Sequence, residues 1–398
     1  MNETPAATDA TNPPAFASKL FTPITLRGLT LPNRIVVSPM CQYCGEDGVP
    51  TDWHLMHLGQ YLVAGLGLVI TEAAAVEARG RIGPTCVGLY SDGAAEGFAR
   101  IVGFGRRWGN AKLGVQLNHA GRKAACQEPW NGRRPIPLDA PDGWASIGPS
   151  ATPFDEGWQA PKAMDRADME TVCDAFVQAA RRADAAGVDL IEIHGAHGYL
   201  LSSFLSPSTN TRDDDYGGSL ENRMRFPLEV FAAVRAAWPE AKPIGFRISA
   251  TEWVEGGWGL EDSVVVAREL KAMGCDYVTA SSGGVTPAVA VYEDPHRKNR
   301  IAIPVAPGYQ VPLAAEIRAK AGIATMAVGM IRDARLAESV VADGKADMVA
   351  LARGLLYEPH WAWRAAEELG VDAAYPCQYE RSKPSAWPEA FAEREAAE

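Results

Sequence analysis

The sequence predicts a (β/α)8 barrel of the α/β class. Three observations carry that expectation. Eight apolar runs recur along the chain, each followed by a helical pattern. The runs are near-continuous in Val, Ile and Leu, as strands covered on both faces are. The first run leads into Pro39-Met40-Cys41-Gln42-Tyr43, with no glycine-rich phosphate turn of the kind that marks a doubly wound sheet. Eight parallel strands alternating with helices close a barrel.

In chain order, residues 1–18 are Ala/Thr/Pro-rich and have neither a basic nor a hydrophobic leader segment. They read as a flexible extension and not as a signal peptide. Residues 21–32 (FTPITLRGLTLP) resemble a small hairpin that closes the barrel bottom. The eight strands are expected at 34–40, 67–73, 112–119, 189–194, 244–249, 277–282, 324–329 and 347–353. Helix 168–186 places Met169, Val172, Phe176 and Ala180 on one face, and Gly187 stops it. Helix 262–273 carries Val265, Val266 and Leu270 ahead of Gly274. Pro312 suits a helix first turn, with Leu313, Ile317 and Gly322 in register. Asp333 caps a helix containing Leu336 and Val340. Pro227 argues against one uninterrupted helix over 219–237, so a start or kink is expected there. Residues 122–165, rich in Pro, Gly and Trp, lie between strands three and four and are expected to cap the top face. The barrel domain is thus 19–372, followed by a tail at 373–398.

The chain has 398 residues and a formal net charge of −11. That charge argues against a nucleic-acid or anionic-membrane surface, though not against a local pocket for one phosphate. No apolar run is long enough to span a bilayer. Seven cysteines, scattered and odd in number, fit reduced cytoplasmic thiols. Cys41 and Cys44 form a CxxC without the second pair that a zinc or iron–sulfur site needs, and no metal is expected.

In such a barrel the residues ending the strands face the active site. Strand one ends in Pro39, Met40, Cys41 and Tyr43, and strand two in Glu72 and Ala73. Strand three supplies Gln116, His119, Arg122 and Lys123, and strand four supplies His194, His197 and Tyr199. Arg247, Gly329 and Arg353 follow on strands five, seven and eight. His194 and His197 lie three apart just past a strand, so a turn can aim both rings at one point. Two imidazole N–H groups on one oxygen stabilise developing negative charge, and Tyr199 beside them can deliver a proton. Spacing alone leaves this pair open among oxyanion donors, a metal site with Glu192, and a structural pair. Gln116 can hydrogen-bond a planar heterocycle, and Arg247 can stabilise partial negative charge on it. Arg353 and the backbone near Gly329 match the phosphate site that barrels build after strands seven and eight.

Several stretches together resemble the Old Yellow Enzyme family. They are LFTPITLRGLTLPNRIVVSPMCQY, QLNHAGRK, IEIHGAHGYLLSSFLSPSTNTRDDDYGGSLENR, PGYQV and AVGMI. The likeness is to the bacterial branch with a cysteine beside the flavin, which includes xenobiotic reductases and the thermophilic-like NADPH dehydrogenases. The resemblance implies non-covalent FMN, with NADPH or NADH as hydride donor. By position, Ser38, Pro39, Met40, Cys41, Ala73, Gln116, Arg247, Gly329, Ala352 and Arg353 would contact FMN, and Cys41 would tune its potential. His194 and His197 would bind a carbonyl or nitro oxygen, Tyr43 would position the substrate, and Tyr199 would donate the proton. Lys123 would lie near the pocket. Tyr379-Glu380-Arg381 matches a motif whose arginine reaches a neighbouring subunit, which implies a homodimer or a dimer-built homotetramer. Ala352 departs from the glycine common before the phosphate arginine. The implied activity is an ene-reductase acting on enones, maleimides or nitroalkenes. Three other readings are a 2,4-dienoyl-CoA reductase-like enzyme, a non-redox aldolase or isomerase barrel, and a flavin-binding sensor. The first lacks its four-cysteine cluster here, and the second lacks a strand-end lysine. The sensor would bind flavin that NADPH fails to reduce.

Overall fold

The computed structural model describes residues 18–287, 289–290, 301–303 and 305–391; apart from Ser18, the N-terminal extension lies outside them. Two short strands, β1 (Ile24–Leu26) and β2 (Leu29–Leu31), form an antiparallel hairpin. Its turn places Arg27 at φ 51°. Gly28 follows it, where a Cβ would sit 2.5 Å from the Ala241 carbonyl oxygen. Leu26 and Leu31 join Val36, Leu68, Leu190, Tyr277, Met326 and Met348 in one buried cluster. Several of these are the first residues of barrel strands, so the hairpin plugs the barrel's N-terminal end, as the sequence predicts.

The barrel strands are β3 (Ile35–Val37), β4 (Leu68–Ala75), β5 (Lys112–Asn118), then β8 (Leu190–Gly195), β9 (Ile244–Ser249) and β10 (Tyr277–Ser281), with β13 (Ala324–Ala327) and β14 (Met348–Leu351) last. Between them lie the two-residue pairs β6 (Ile147–Gly148) with β7 (Lys162–Ala163), and β11 (Val289–Ala290) with β12 (Ile301–Ala302). The eight close into an all-parallel barrel, with β14 pairing back onto β3. All eight match predicted runs. The observed strands stop before Ser38, Gly329 and Arg353; Ser38 and Gly329 sit in loops at the C-terminal face, and Arg353 is the first residue of a short helix there. β4 runs on to Ala75, with a register shift between Ile70 and Ala73.

The helices are α1 (Asp52–Leu62), α2 (Asp92–Trp108), α3 (Arg166–Ala185), α4 (Leu200–Leu205), α5 (Leu220–Ala237), α6 (Leu260–Ala272), α7 (Val311–Ala321), α8 (Ala334–Ala342), α9 (Arg353–Tyr357) and α10 (Trp361–Glu368). Asp165 caps α3 and Asp333 caps α8 through their side chains. Gly322 ends α7 in the left-handed region. Glu338 of α8 accepts bonds from the Ser18 hydroxyl and from the Lys19 and Leu20 amides, which pins the chain's entry into the barrel.

One expectation is corrected in part, because no helix starts at Pro227. α5 runs through Pro227 without a break. A proline forfeits one backbone bond and crowds the preceding turn, at a cost of roughly 3 kcal/mol. Met224, Phe226, Val230, Phe231 and Val234 are all buried along the same helix, and burying side chains of this size contributes about 1.5–3 kcal/mol each. Packing therefore outweighs the local cost.

Candidate active site

The floor of the site is built from adjacent strands. Gln116 on β5 lies beside Glu192 on β8 in register, and its Nε2 donates to Glu192 Oε1 at 2.8 Å. The Thr279 hydroxyl on β10 donates to the other carboxylate oxygen at 2.5 Å. Arg247 on β9 donates from Nη1 to Ser38 Oγ at 3.1 Å. Its Nε is buried with no protein partner. A buried, unpartnered guanidinium N–H is costly unless a ligand brings an acceptor to it.

Above the floor, β8 carries His194 as its penultimate residue, and the chain continues through a tight turn to His197. His197 is held at φ 59°, a conformation rare for a non-glycine residue. Two contacts keep it there. Its amide donates to Ser249 Oγ at 2.9 Å, and its carbonyl accepts from Lys123 Nζ at 2.8 Å. The two rings meet edge to face, 5.1 Å between centroids. His194 Nδ1 accepts from the Ala196 amide at 3.1 Å, so in the neutral ring the proton sits on Nε2. That Nε2 faces His197 Nδ1 at 3.3 Å, which leaves His197 to carry its proton on Nε2, 2.7 Å from Ser281 Oγ. The rings are therefore brought together, but they are bonded to each other and to Ser281. Burial, with the Arg247 charge nearby, pushes both imidazoles well below their usual pKa. Both are neutral N–H donors at pH 7.

Tyr199 opens α4, with its ring 4.9 Å from that of His194. Burial, reinforced by Cys41 and Tyr43, raises its phenol well above the ordinary value, so it keeps its proton. Tyr199 and Cys41 pack around a small cluster containing Tyr43, Ile82, Cys86, Ala120, Ala124 and Cys126. The Cys41 thiol is pushed up to about 12 by burial and by the Glu72 carboxylate. Glu72 itself is buried, accepts from the Gln42 amide at 3.2 Å and pairs with His54 at 3.1 Å. It thereby fixes the loop that carries Cys41. Tyr43 accepts a 3.4 Å contact from Arg133 of the 122–165 segment, and Trp144 and Trp158 of that segment pack on the same cluster.

Lys123 is committed to structure. Its ammonium donates to the carbonyls of His197 and Gly284 and lies 5.0 Å from the Tyr199 ring centroid. Burial and the neighbouring Arg133 and Arg122 bring its pKa down to about 7.

A cavity of about 460 Å³ opens at the ends of β13 and β14. Ser38, Arg247, Gly329, Ala352 and Arg353 line it, so five sequence-predicted cofactor residues converge. Its volume falls in the range of small-molecule sites. Arg247, Arg332 and Arg353 are among its lining residues, in a chain whose net charge is −11. That local excess of positive charge suits a phosphate. Gly329 sits at φ 110°, where a Cβ would lie 2.6 Å from Gln310 Nε2. Only glycine fits this approach. The orphaned Arg247 N–H, the glycine cradle and the arginine set fit a phosphorylated flavin. Ala73 is buried beside Gln116 in register, and Pro39 and Met40 are in the loop after β3. Arg381 is exposed on a 3-10 turn (Cys377–Ser382) and does not line the cavity.

Sequence reasoning missed Ser281, Ser249, Tyr309 and Gln310. Ser281 lies at the end of the sixth strand run, where spacing alone gives it no role. Tyr309 and Gln310 belong to the PGYQV loop and line the cavity. Among the described residues no group of three or more His, Cys, Asp or Glu is placed to hold a metal ion. No helix among them is long and apolar enough to cross a membrane.

Comparison with known proteins identifies the family. Residues 19–372 match the model of the NADH:flavin oxidoreductase / NADH oxidase family. An NADPH dehydrogenase of Geobacillus sp. (strain WCH70) is 45% identical over 365 residues, covering 91% of this chain and 98% of the relative. An NADPH dehydrogenase of Bacillus subtilis (strain 168) is 41% identical over 368 residues, covering 92% and 99%. The solved structure of morphinone reductase superposes with a TM-score of 0.71 at 28% identity, covering 91% of this chain and 92% of that one. The chain belongs to the NADH:flavin oxidoreductase / NADH oxidase family, the Old Yellow Enzyme family, and is an oxidoreductase.

Proposed function

We propose that this protein is an FMN-dependent ene-reductase that uses NADPH or NADH to reduce the activated C=C bond of enones, maleimides or nitroalkenes. The observation that carries the reading is the pair of neutral imidazole donors, His194 and His197, beside a protonated tyrosine. The pair stands above a floor with an unpartnered arginine N–H. FMN, when bound, would supply the hydride chemistry that links oxidation of the nicotinamide to reduction of the double bond.

The chain's residues do the rest. His194 and His197 hold the carbonyl or nitro oxygen and withdraw electron density from the double bond. To do so their N–H groups turn from each other and from Ser281 toward the ligand. Being neutral, they stabilise the oxygen more as it gains charge, which is where catalysis comes from. Tyr199 holds the proton on its Oη for delivery to Cα. Ser38, Gln116 and Arg247 bind the ring, with Pro39, Met40, Ala73 and Cys41 around it. Gly329, Ala352 and Arg353 hold the phosphate; Ala352 keeps the backbone N–H that a glycine would offer. Tyr43 and the 122–165 cap shape the substrate side, while Lys123 fixes the His197 backbone. The reading includes a homodimer or homotetramer in which Arg381 reaches the neighbouring site.

The purified protein should be yellow, and NADPH should bleach it in the absence of oxygen. A colourless protein that stays inactive after FMN is added would sink the proposal. His194→Ala and His197→Ala should slow enone reduction by on the order of 10² with little change in flavin reduction by NADPH. Equal losses in both half-reactions would contradict the role given to the pair.

A further inference from the structure

Three barrel strands bring Gln116, Glu192 and Thr279 into one buried chain, each at most 1% exposed. A lone primary amide is ambiguous, because it can turn either its NH2 or its oxygen toward a ligand. A carboxylate is not ambiguous, because it only accepts. Glu192 receives Gln116 Nε2 on one oxygen and the Thr279 hydroxyl on the other. Gln116 must therefore keep its nitrogen turned to Glu192, and its Oε1 is left as the group offered to a ligand. Burial lowers the Arg247 pKa, and the Glu192 charge opposes that shift; the Arg247 Nε is the buried donor without a partner. The floor thus presents one fixed acceptor and one fixed donor.

We propose that Glu192 is a positioning residue that locks the Gln116 amide, so that the site accepts a hydrogen from an imide-type N–H of its heterocyclic ligand. This rests on the flavin reading, in which the matching group is the N3–H of the pyrimidine ring. The carboxylate acts through Gln116 and touches no reacting atom.

The test uses the full chain reconstituted with ¹⁵N-labelled FMN and follows the N3–H signal by proton–nitrogen NMR. In the wild type that signal should be shifted downfield and protected from exchange. Glu192→Gln permits both amide orientations, and Glu192→Leu removes the acceptor. Exchange should speed up about tenfold or more in Glu192→Leu, with a smaller change in Glu192→Gln. Both should move toward the signal of Gln116→Leu, which marks an unbonded N3–H. Thr279→Val leaves the Gln116–Glu192 bond in place and should keep the wild-type signal, which separates amide locking from general loosening of the barrel. Circular dichroism and thermal melting show whether each variant is folded. A bound FMN whose N3–H is unchanged in both Glu192 variants overturns the inference and leaves the flavin reading intact. Failure of the wild-type chain to bind FMN overturns both.

Discussion

His57 and His194 are both buried and both held below the usual histidine pKa, His57 at about 4, with burial the main cause. Unfolded, each takes up a proton near pH 6.5. Between the folded values and about 6.5 the unfolded chain binds more protons than the folded one, so stability rises with pH across that window. The contribution is complete above it and is lost as the pH falls. His57 lies outside the catalytic set, edge-on to Tyr61 in α1, and so isolates the effect. Urea unfolding of the wild type should lose up to about 1.4 kcal/mol per pH unit more than His57→Gln between pH 6 and 4. Parallel losses in the two proteins would show that His57 is not the linked group. The same neutrality serves the site, because an imidazole already uncharged at pH 6 delivers the same N–H donor at pH 8.

At the level of elements, periodicity located all eight strands, the hairpin and the capped helices α3, α7 and α8. The reason is physical, because strands buried on both faces leave continuous apolar runs that loops interrupt. What escaped the sequence was partner choice. The bonds of Glu192 to Gln116 and Thr279 join residues 76 and 87 apart in the chain, and no local pattern encodes such pairings. Ser281 was hidden for the same reason, since its meaning comes from His197, 84 residues away. α5 shows the opposite failure, where a clear local signal at Pro227 was overruled by packing. The hairpin's role as a plug can be tested as an element. Leu31 is fully buried among strand starts at the end of the barrel away from the site. Leu31→Ala should therefore cost about 2–5 kcal/mol in denaturant unfolding, while the flavin content of folded protein and the rate of enone reduction stay near wild type. A lost flavin in folded Leu31→Ala protein would mean that the hairpin also shapes the cofactor face.

At the scale of the whole molecule, the question is whether one chain completes its own site. The C-terminal segment is clamped to α10, where Trp363 stacks between His360 at 4.0 Å and Tyr375 at 4.2 Å, with Tyr379 edge-on. That clamp fixes the turn bearing Arg381 but leaves Arg381 exposed, outside the cavity of its own chain. An exposed arginine on an anchored turn is what a shared site needs. If Arg381 reaches a neighbouring subunit, Arg381→Ala should raise the KM for enone and leave flavin content unchanged. Mixing then gives a stricter test. His194→Ala places its defect in its own chain's site, and Arg381→Ala places its defect in the partner's. In a dimer with one subunit of each kind, one site carries both defects and the other carries neither. After denaturation and refolding together in equal amounts, half the dimers are mixed, so about one quarter of all sites are intact. At substrate concentrations where each variant alone is nearly inactive, the mixture should recover about that fraction of wild-type activity. If Arg381 acted within its own chain, every site in every dimer would carry one defect. The mixture would then show only the average of the two variants, and the shared-site reading would fall.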